Sequence, residues 1–306
     1  MDSDRTEPPI AAREVPVPPG RLQGVALPWW AKLGAKLALT SAGIRPAALR
    51  RLGINRHSFA ESDRDKLFTS LADQVRRFHE VTGRAPRGFL ELGPARMVAR
   101  APIAAALGLG PIFYLDVEDD SPQEIGPYVR AAELARAEGL LPPDLTGAAT
   151  VREALRRCGA RLLIGGPEQL AGVADGSLDL ISSTAVLEHV RRDAVAPLLA
   201  ALRRVMAPDG LQLHAIDLHD HLGGGRVHLR FSARFWEGRA IARSGIYTNR
   251  IGATAWLDAF RAAGLAPDIA LALVWTEARG KAHPDTGQRA QDARFAAIHV
   301  EARGRR

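Results

Sequence analysis

Gly88-Phe89-Leu90-Glu91-Leu92-Gly93-Pro94-Ala95 is the stretch that decides the fold. An apolar run with one embedded carboxylate stops on glycine and proline and opens into helix-compatible sequence, which predicts a strand turning tightly into a helix. Gly93 lets the backbone approach a ligand closely, and Ala95 keeps the turn small. Working outward, PIFYLDV (111–117) reads as a second strand, RLLIGG (161–166) as a third, LDLISS (178–183) as a fourth and LQLHAIDL (211–218) as a fifth. Helical segments alternate with them, so βαβ units and a mainly parallel sheet are expected. Before the fifth strand lies a helix with the apolar face Val195, Leu198, Leu199, Leu202, Val205 and Met206, closed by the turn Pro208-Asp209-Gly210. After a helix over Ala253–Ala263, the apolar run Ile269–Trp275 and a strand near Phe295–Val300 are joined by a polar loop. Two strands joined without a helix pair antiparallel, because a parallel crossover needs about a dozen residues or more.

In an open sheet of this kind a ligand lies outside the carboxyl ends of the strands, where strand order reverses. The ends of the first two strands are therefore the places to look for chemistry. Asp116 closes the second strand, and a carboxylate there can accept two hydrogen bonds from a ribose diol. The plainer alternatives are a turn-stabilising role for Glu91 and a solvated strand-end acid at Asp116, beside Glu118, Asp119 and Asp120.

At these residues the sequence resembles the class I S-adenosylmethionine (SAM)-dependent methyltransferases, of the methyltransferase type 11/12-like kind. The resemblance runs from residue 87 to 303. It includes Gly176-Ser177-Leu178-Asp179-Leu180-Ile181-Ser182-Ser183 with Val186-Leu187-Glu188-His189-Val190, and the helix and turn Arg203–Gly210. It implies a Rossmann-like α/β fold: a seven-stranded, mostly parallel sheet with a C-terminal antiparallel hairpin in three αβα layers. It also implies SAM as cofactor, with Glu91, Gly93, Pro94 and Ala95 around the methionyl part, Asp116 and Val117 at the ribose, Pro167 and Glu168 beside the adenine, and Ser183 at the fourth strand end. The loop departs from the family pattern in keeping only Gly93, with Ala95 at the usual second glycine and Met97 at the third.

Three segments are expected: a disordered Pro-rich arm over 1–24, a helical region over 25–84 and the methyltransferase domain over 85–306. The arm has too few large apolar residues to repay its ordering entropy. In the second segment Phe68, Leu71, Val75 and Phe78 recur at helical spacing, with Ser62 and Asp63 as cap candidates and Gly83 as a stop. Trp29 and Trp30 read as a docked apolar anchor rather than a membrane or partner contact.

Composition narrows the function classes. A single cysteine, Cys158, excludes a disulfide framework and every multi-cysteine zinc pattern. No apolar run approaches the roughly 20 residues of a membrane span, and the acidic, proline-rich start is unlike a signal peptide, so a cytoplasmic location is expected. The net charge of +7 and pI near 10.2 admit nucleic acid, yet nothing interleaves the arginine pairs with aromatics, so a small-molecule acceptor is expected instead. The oligomeric state is not legible.

Methyl transfer to oxygen needs a proton acceptor, and His214–His221 supplies candidates at the end of the fifth strand. In extended backbone Asp217, His219 and His221 share one face. Three readings stay open for them: a base oriented by a carboxylate, a divalent-metal site, or a polar strand end bonded to its loop. The base is carried forward, with no metal expected. Glu188 and His189 read as a helix start and a packing residue. Residues 222–251 read as a lid with hinges at Gly223, Gly224 and Gly225, where Arg230, Tyr247, Asn249 and Arg250 would orient a polar acceptor. The competing functions are a catalytically inactive methyltransferase-like scaffold and an NAD(P)-dependent oxidoreductase, the latter disfavoured because the first turn lacks its glycine fingerprint.

Overall fold

The computed structural model describes residues 13–18, 28–42, 64–277 and 282–305. Eight strands form one sheet: β1 (Arg13–Val17), β2 (Phe89–Leu92), β3 (Ile112–Asp116), β4 (Ala160–Ile164), β5 (Leu178–Thr184), β6 (Met206–Asp217), β7 (Leu265–Trp275) and β8 (Phe295–Gly304). Their order is β1-β7-β8-β6-β5-β2-β3-β4. All neighbours run parallel except β6/β8 and β7/β8, so the C-terminal hairpin closes the parallel part as expected. β6 begins earlier than the sequence suggests: it takes in the Pro208–Gly210 turn, with a register irregularity where Leu178 faces Met206 and Leu180 faces Leu211.

The period-2 alternation of the strands builds two cores. Leu90, Leu92, Phe113, Leu115 and Ile181 face a layer formed by α6 (Arg192–Val205) and α7 (Ala253–Ala262). Phe89, Ile112, Tyr114 and Leu180 face the opposite layer, of α2 (Ser70–Thr82), α3 (Ala101–Ala106), α4 (Gly126–Ala137) and α5 (Val151–Arg157). The result is the three-layer αβα arrangement expected.

Two expectations need correction. Among the described residues the sheet has eight strands rather than seven, and Arg13–Val17, within the arm expected to be disordered over 1–24, supplies the eighth by pairing in parallel with Leu271–Trp275. The pairing is made by the backbone, with Glu14 held to Arg294 at 2.8 Å, so it needs no large apolar side chain. Pro16 is tolerated because an edge strand leaves one row of its amides unused.

In the helical region α1 (Trp29–Ser41) packs Leu33 against Leu222, Trp236, Ile241, Ile246 and Tyr247, and Trp29 meets Phe231 edge-on at 6.1 Å. Trp29 is thus the docked anchor, whereas Trp30 is 64% exposed. α2 buries Leu71 and Phe78 and stops at Gly83, whose φ of 75° is the left-handed cap that glycine favours. The cap candidates Ser62 and Asp63 lie outside the described residues. Among those residues no helix is long and apolar enough to cross a membrane.

Candidate active site

β2 is the switch point: it pairs with β3 on one side and β5 on the other, so the strand order reverses at its carboxyl end. The loop after β2 is shaped by Gly93 at φ 58° and Ala95 at φ 45°. A Cβ on Gly93 would lie 2.4 Å from Val186 Cγ2, so only glycine fits. Ala95 holds the left-handed conformation that glycine adopts most easily, and carries the associated strain, about 1–2 kcal/mol.

Asp116 is half-buried beside this loop. Its Oδ2 accepts from Ala95 N at 3.0 Å, Oδ1 has a long contact, 3.5 Å, to Glu118 N, and the Val117 amide also lies near the carboxylate. Burial is the main influence on its carboxyl, raising its pKa against the pull of those amides. On either side lie Val117, 76% exposed, and Ile164, 41% exposed, the residue paired with Asp116 in β4. A carboxylate at a strand end next to two uncovered apolar side chains makes a surface with one polar and one apolar part. Glu168 lies next to this surface but turns its carboxylate back onto Gly166 N at 2.8 Å; Pro167 opens the same turn.

Other residues expected around the cofactor are already engaged. Glu91 points into the helical layer of α2, where Arg100 grips it with two hydrogen bonds of 2.7 and 3.1 Å. The alternation of β2 dictates this, since Glu91 shares a face with Phe89. Arg100 also donates to Ser70 Oγ and to the Lys66 carbonyl, so the pair ties the loop to the N-terminal helix. Ser183 is buried and bonded to His214 Nδ1 at 2.8 Å, and His214 Nε2 meets Gln212 Oε1 at 3.0 Å.

At the adjacent carboxyl ends of β5 and β6 the histidines converge. His219 Nδ1 lies 3.3 Å from the Ala296 carbonyl and therefore carries the proton, which leaves Nε2 as a lone pair 3.7 Å from Asp217 Oδ2. His221 stacks between His189 and His219, with centroids 4.9 and 5.8 Å away, and burial with those neighbours pushes its imidazole down to about 3. Beneath them Glu188 is almost wholly buried and makes no side-chain hydrogen bond; burial and the Asp217 charge drive its carboxyl well above the usual range. The sequence reads Glu188 and His189 as a helix start and a packing residue because they stand far from His221 along the chain; the adjacency of the two strand ends is the signal that joins them.

The lid is stapled down rather than hinged. Asp220 accepts from the amides of Leu222, Gly223 and Val227 at 2.7–2.9 Å, knitting the glycine loop around one buried carboxylate. Asn249 spends its amide on the Leu187 and Val190 carbonyls, and the Tyr247 hydroxyl donates to Glu237. Arg250 lies buried over Trp236 and donates to the Phe231 carbonyl, with Nε and one terminal nitrogen unpartnered; Arg230 is exposed. Of the four residues expected to orient an acceptor, Arg250 alone therefore keeps buried donors to offer.

A family model described as a methyltransferase domain matches residues 137–213, from the end of α4 into β6. A comparison with curated protein sequences gives no match. Among solved structures, a SAM-dependent methyltransferase from Mesorhizobium loti is 16% identical, with 76% of this chain and 96% of that one covered at a TM-score of 0.41. A 1,6-didemethyltoxoflavin N1-methyltransferase from Burkholderia thailandensis, bound to S-adenosylhomocysteine (SAH), is 13% identical, with 92% and 93% covered at 0.41. The YcgJ protein of Bacillus subtilis is 15% identical, with 77% and 99% covered at 0.42. The matched segment, the motif order and the strand order are those of a class I, SAM-dependent methyltransferase fold.

Proposed function

We propose that the protein transfers a methyl group from SAM to an oxygen atom of a small-molecule acceptor. The observation that carries the reading is that one carboxyl edge of the sheet holds both Asp116, near exposed Val117 and Ile164, and the His219–Asp217 pair at the end of β6, with β2 and β5 between them. Asp116 and Ala95 would hold the nucleoside, with Gly93 allowing close approach.

SAM supplies a sulfonium methyl, which passes in line to the acceptor oxygen as the methyl–sulfur bond breaks and its electron pair returns to sulfur. The chain's part is to align the acceptor and receive its proton. His219 suits that task because the Ala296 carbonyl fixes its Nδ1–H, so the proton goes to Nε2, where Asp217 stabilises the resulting imidazolium. His221, held neutral by burial, is suited to offering a lone pair rather than to taking up a proton near neutrality.

The test is a screen of hydroxylated metabolites with methyl-labelled SAM, followed by His219→Ala. Turnover of the accepted substrate should fall about a hundredfold with SAM affinity unchanged, in the range of general-base losses. Wild-type turnover in the variant, or label found on nitrogen, would overturn the oxygen-transfer reading.

A further inference from the structure

We infer that Glu188, His189 and His221 form a binding site for one divalent transition-metal cation at the carboxyl ends of β5 and β6. Each residue offers a donor atom, and the donors lie within 4.8 Å of one another. Two imidazoles with one carboxylate form a donor set that suits zinc, manganese, iron or cobalt, and a set of three leaves a coordination position open. With bonds of about 2.0–2.2 Å, the donors need to close in by only about an ångström on binding.

Three independent features aim this cluster at a cation. Both oxygens of Glu188 are buried without a hydrogen-bond partner, although burying a carboxylate costs several kcal/mol unless something compensates it. The backbone amides of Glu188 and Asp217 lie near these oxygens without making a hydrogen bond to them. His221 Nε2 is also buried and unpartnered. Finally, His189 Nδ1 donates to the Tyr247 carbonyl at 2.8 Å, which orients the ring so that Nε2 lies 4.0 Å from Glu188 Oε1. A histidine whose other nitrogen is anchored to a carbonyl is the usual outer support of a metal ligand. The His189 side chain is 40% exposed, so the cation has a way in.

The site stands on this geometry alone. Its use rests on the reading above: a cation there would bind the acceptor's oxygen in its open position, next to the His219 lone pair that takes the proton. The lid's hold on the turn at 187–190 then has a purpose, since Asn249 and Tyr247 position the segment that carries two of the ligands.

The full-length protein, stripped with chelator, is titrated with Co²⁺ alone by calorimetry and visible absorption, and SAH is titrated into the same samples. Wild type should take up one Co²⁺ with the intense visible bands of a low-coordinate site. Glu188→Gln and His189→Ala should each weaken that affinity at least about tenfold. Metal-free Glu188→Gln should keep a cooperative melt like that of metal-free wild type, and this readout shows that the variant folds. Absent Co²⁺ binding, or equal binding in wild type and both variants, overturns the site. SAH binding without Co²⁺ binding overturns the metal site and spares the transferase reading, whereas Co²⁺ binding without SAH binding supports the site and counts against that reading.

Discussion

His214 sits wholly buried between Ser183 and Gln212, and burial pushes its imidazole down to about 3 from 6.5. The folded protein therefore refuses a proton that the unfolded chain accepts below about pH 6.5. Stability is complete above that pH and drains away as the pH falls toward 3. The slope is about 1.4 kcal/mol per pH unit for this group, or about 2 kcal/mol between pH 6.5 and 5. Denaturant unfolding at several pH values should show this decline, and His214→Gln should lose about that much of it; an identical pH slope in the variant would contradict the assignment. Residues also show where sequence reading stops. The position of Asp116 was legible because the apolar run of β3 stops there. The roles of Tyr247 and Asn249 were not, because a polar side chain facing a ligand and one satisfying a neighbour's carbonyl look the same in one dimension.

At the scale of elements, the Glu91–Arg100 pair joins β2, the helical turn Ala95–Arg100 and the start of α2 through Ser70. Both partners are buried, so breaking one side is far more costly than removing both. Arg100→Met should destabilise the protein by about 3–5 kcal/mol, and the double variant Arg100→Met/Glu91→Leu should recover much of that loss. Additive losses in this double-mutant cycle would show that the two side chains act separately. Strand identities were readable because each parallel strand is a short apolar run bounded by turn residues. β1 was not: Arg13-Glu14-Val15-Pro16-Val17 reads as arm, and only the open edge of β7 makes it a strand. β6 was read too short because Pro208 and Gly210 signal a turn, whereas here they sit in an irregular strand start.

For the whole molecule, the sheet order places two different chemistries on one edge. The ends of β2, β3 and β4 offer a carboxylate among uncovered apolar groups, and the ends of β5 and β6 offer imidazoles and carboxylates under a tied-down lid. The mainly parallel pairing and the closing hairpin were legible, since two strands joined without a helix pair antiparallel. The convergence of Glu188 and His189 with His221 required the strand adjacency itself. What unites the molecule is the claim that a SAM-derived nucleoside spans the ends of β2 and β3 with its sugar on Asp116. Calorimetric titration of SAH into wild type and Asp116→Ala tests it most directly. One site is predicted in wild type, at least about tenfold weaker in the variant, the loss of a charge-assisted contact. Absent binding in wild type, or equal affinity in a folded Asp116→Ala, would contradict it.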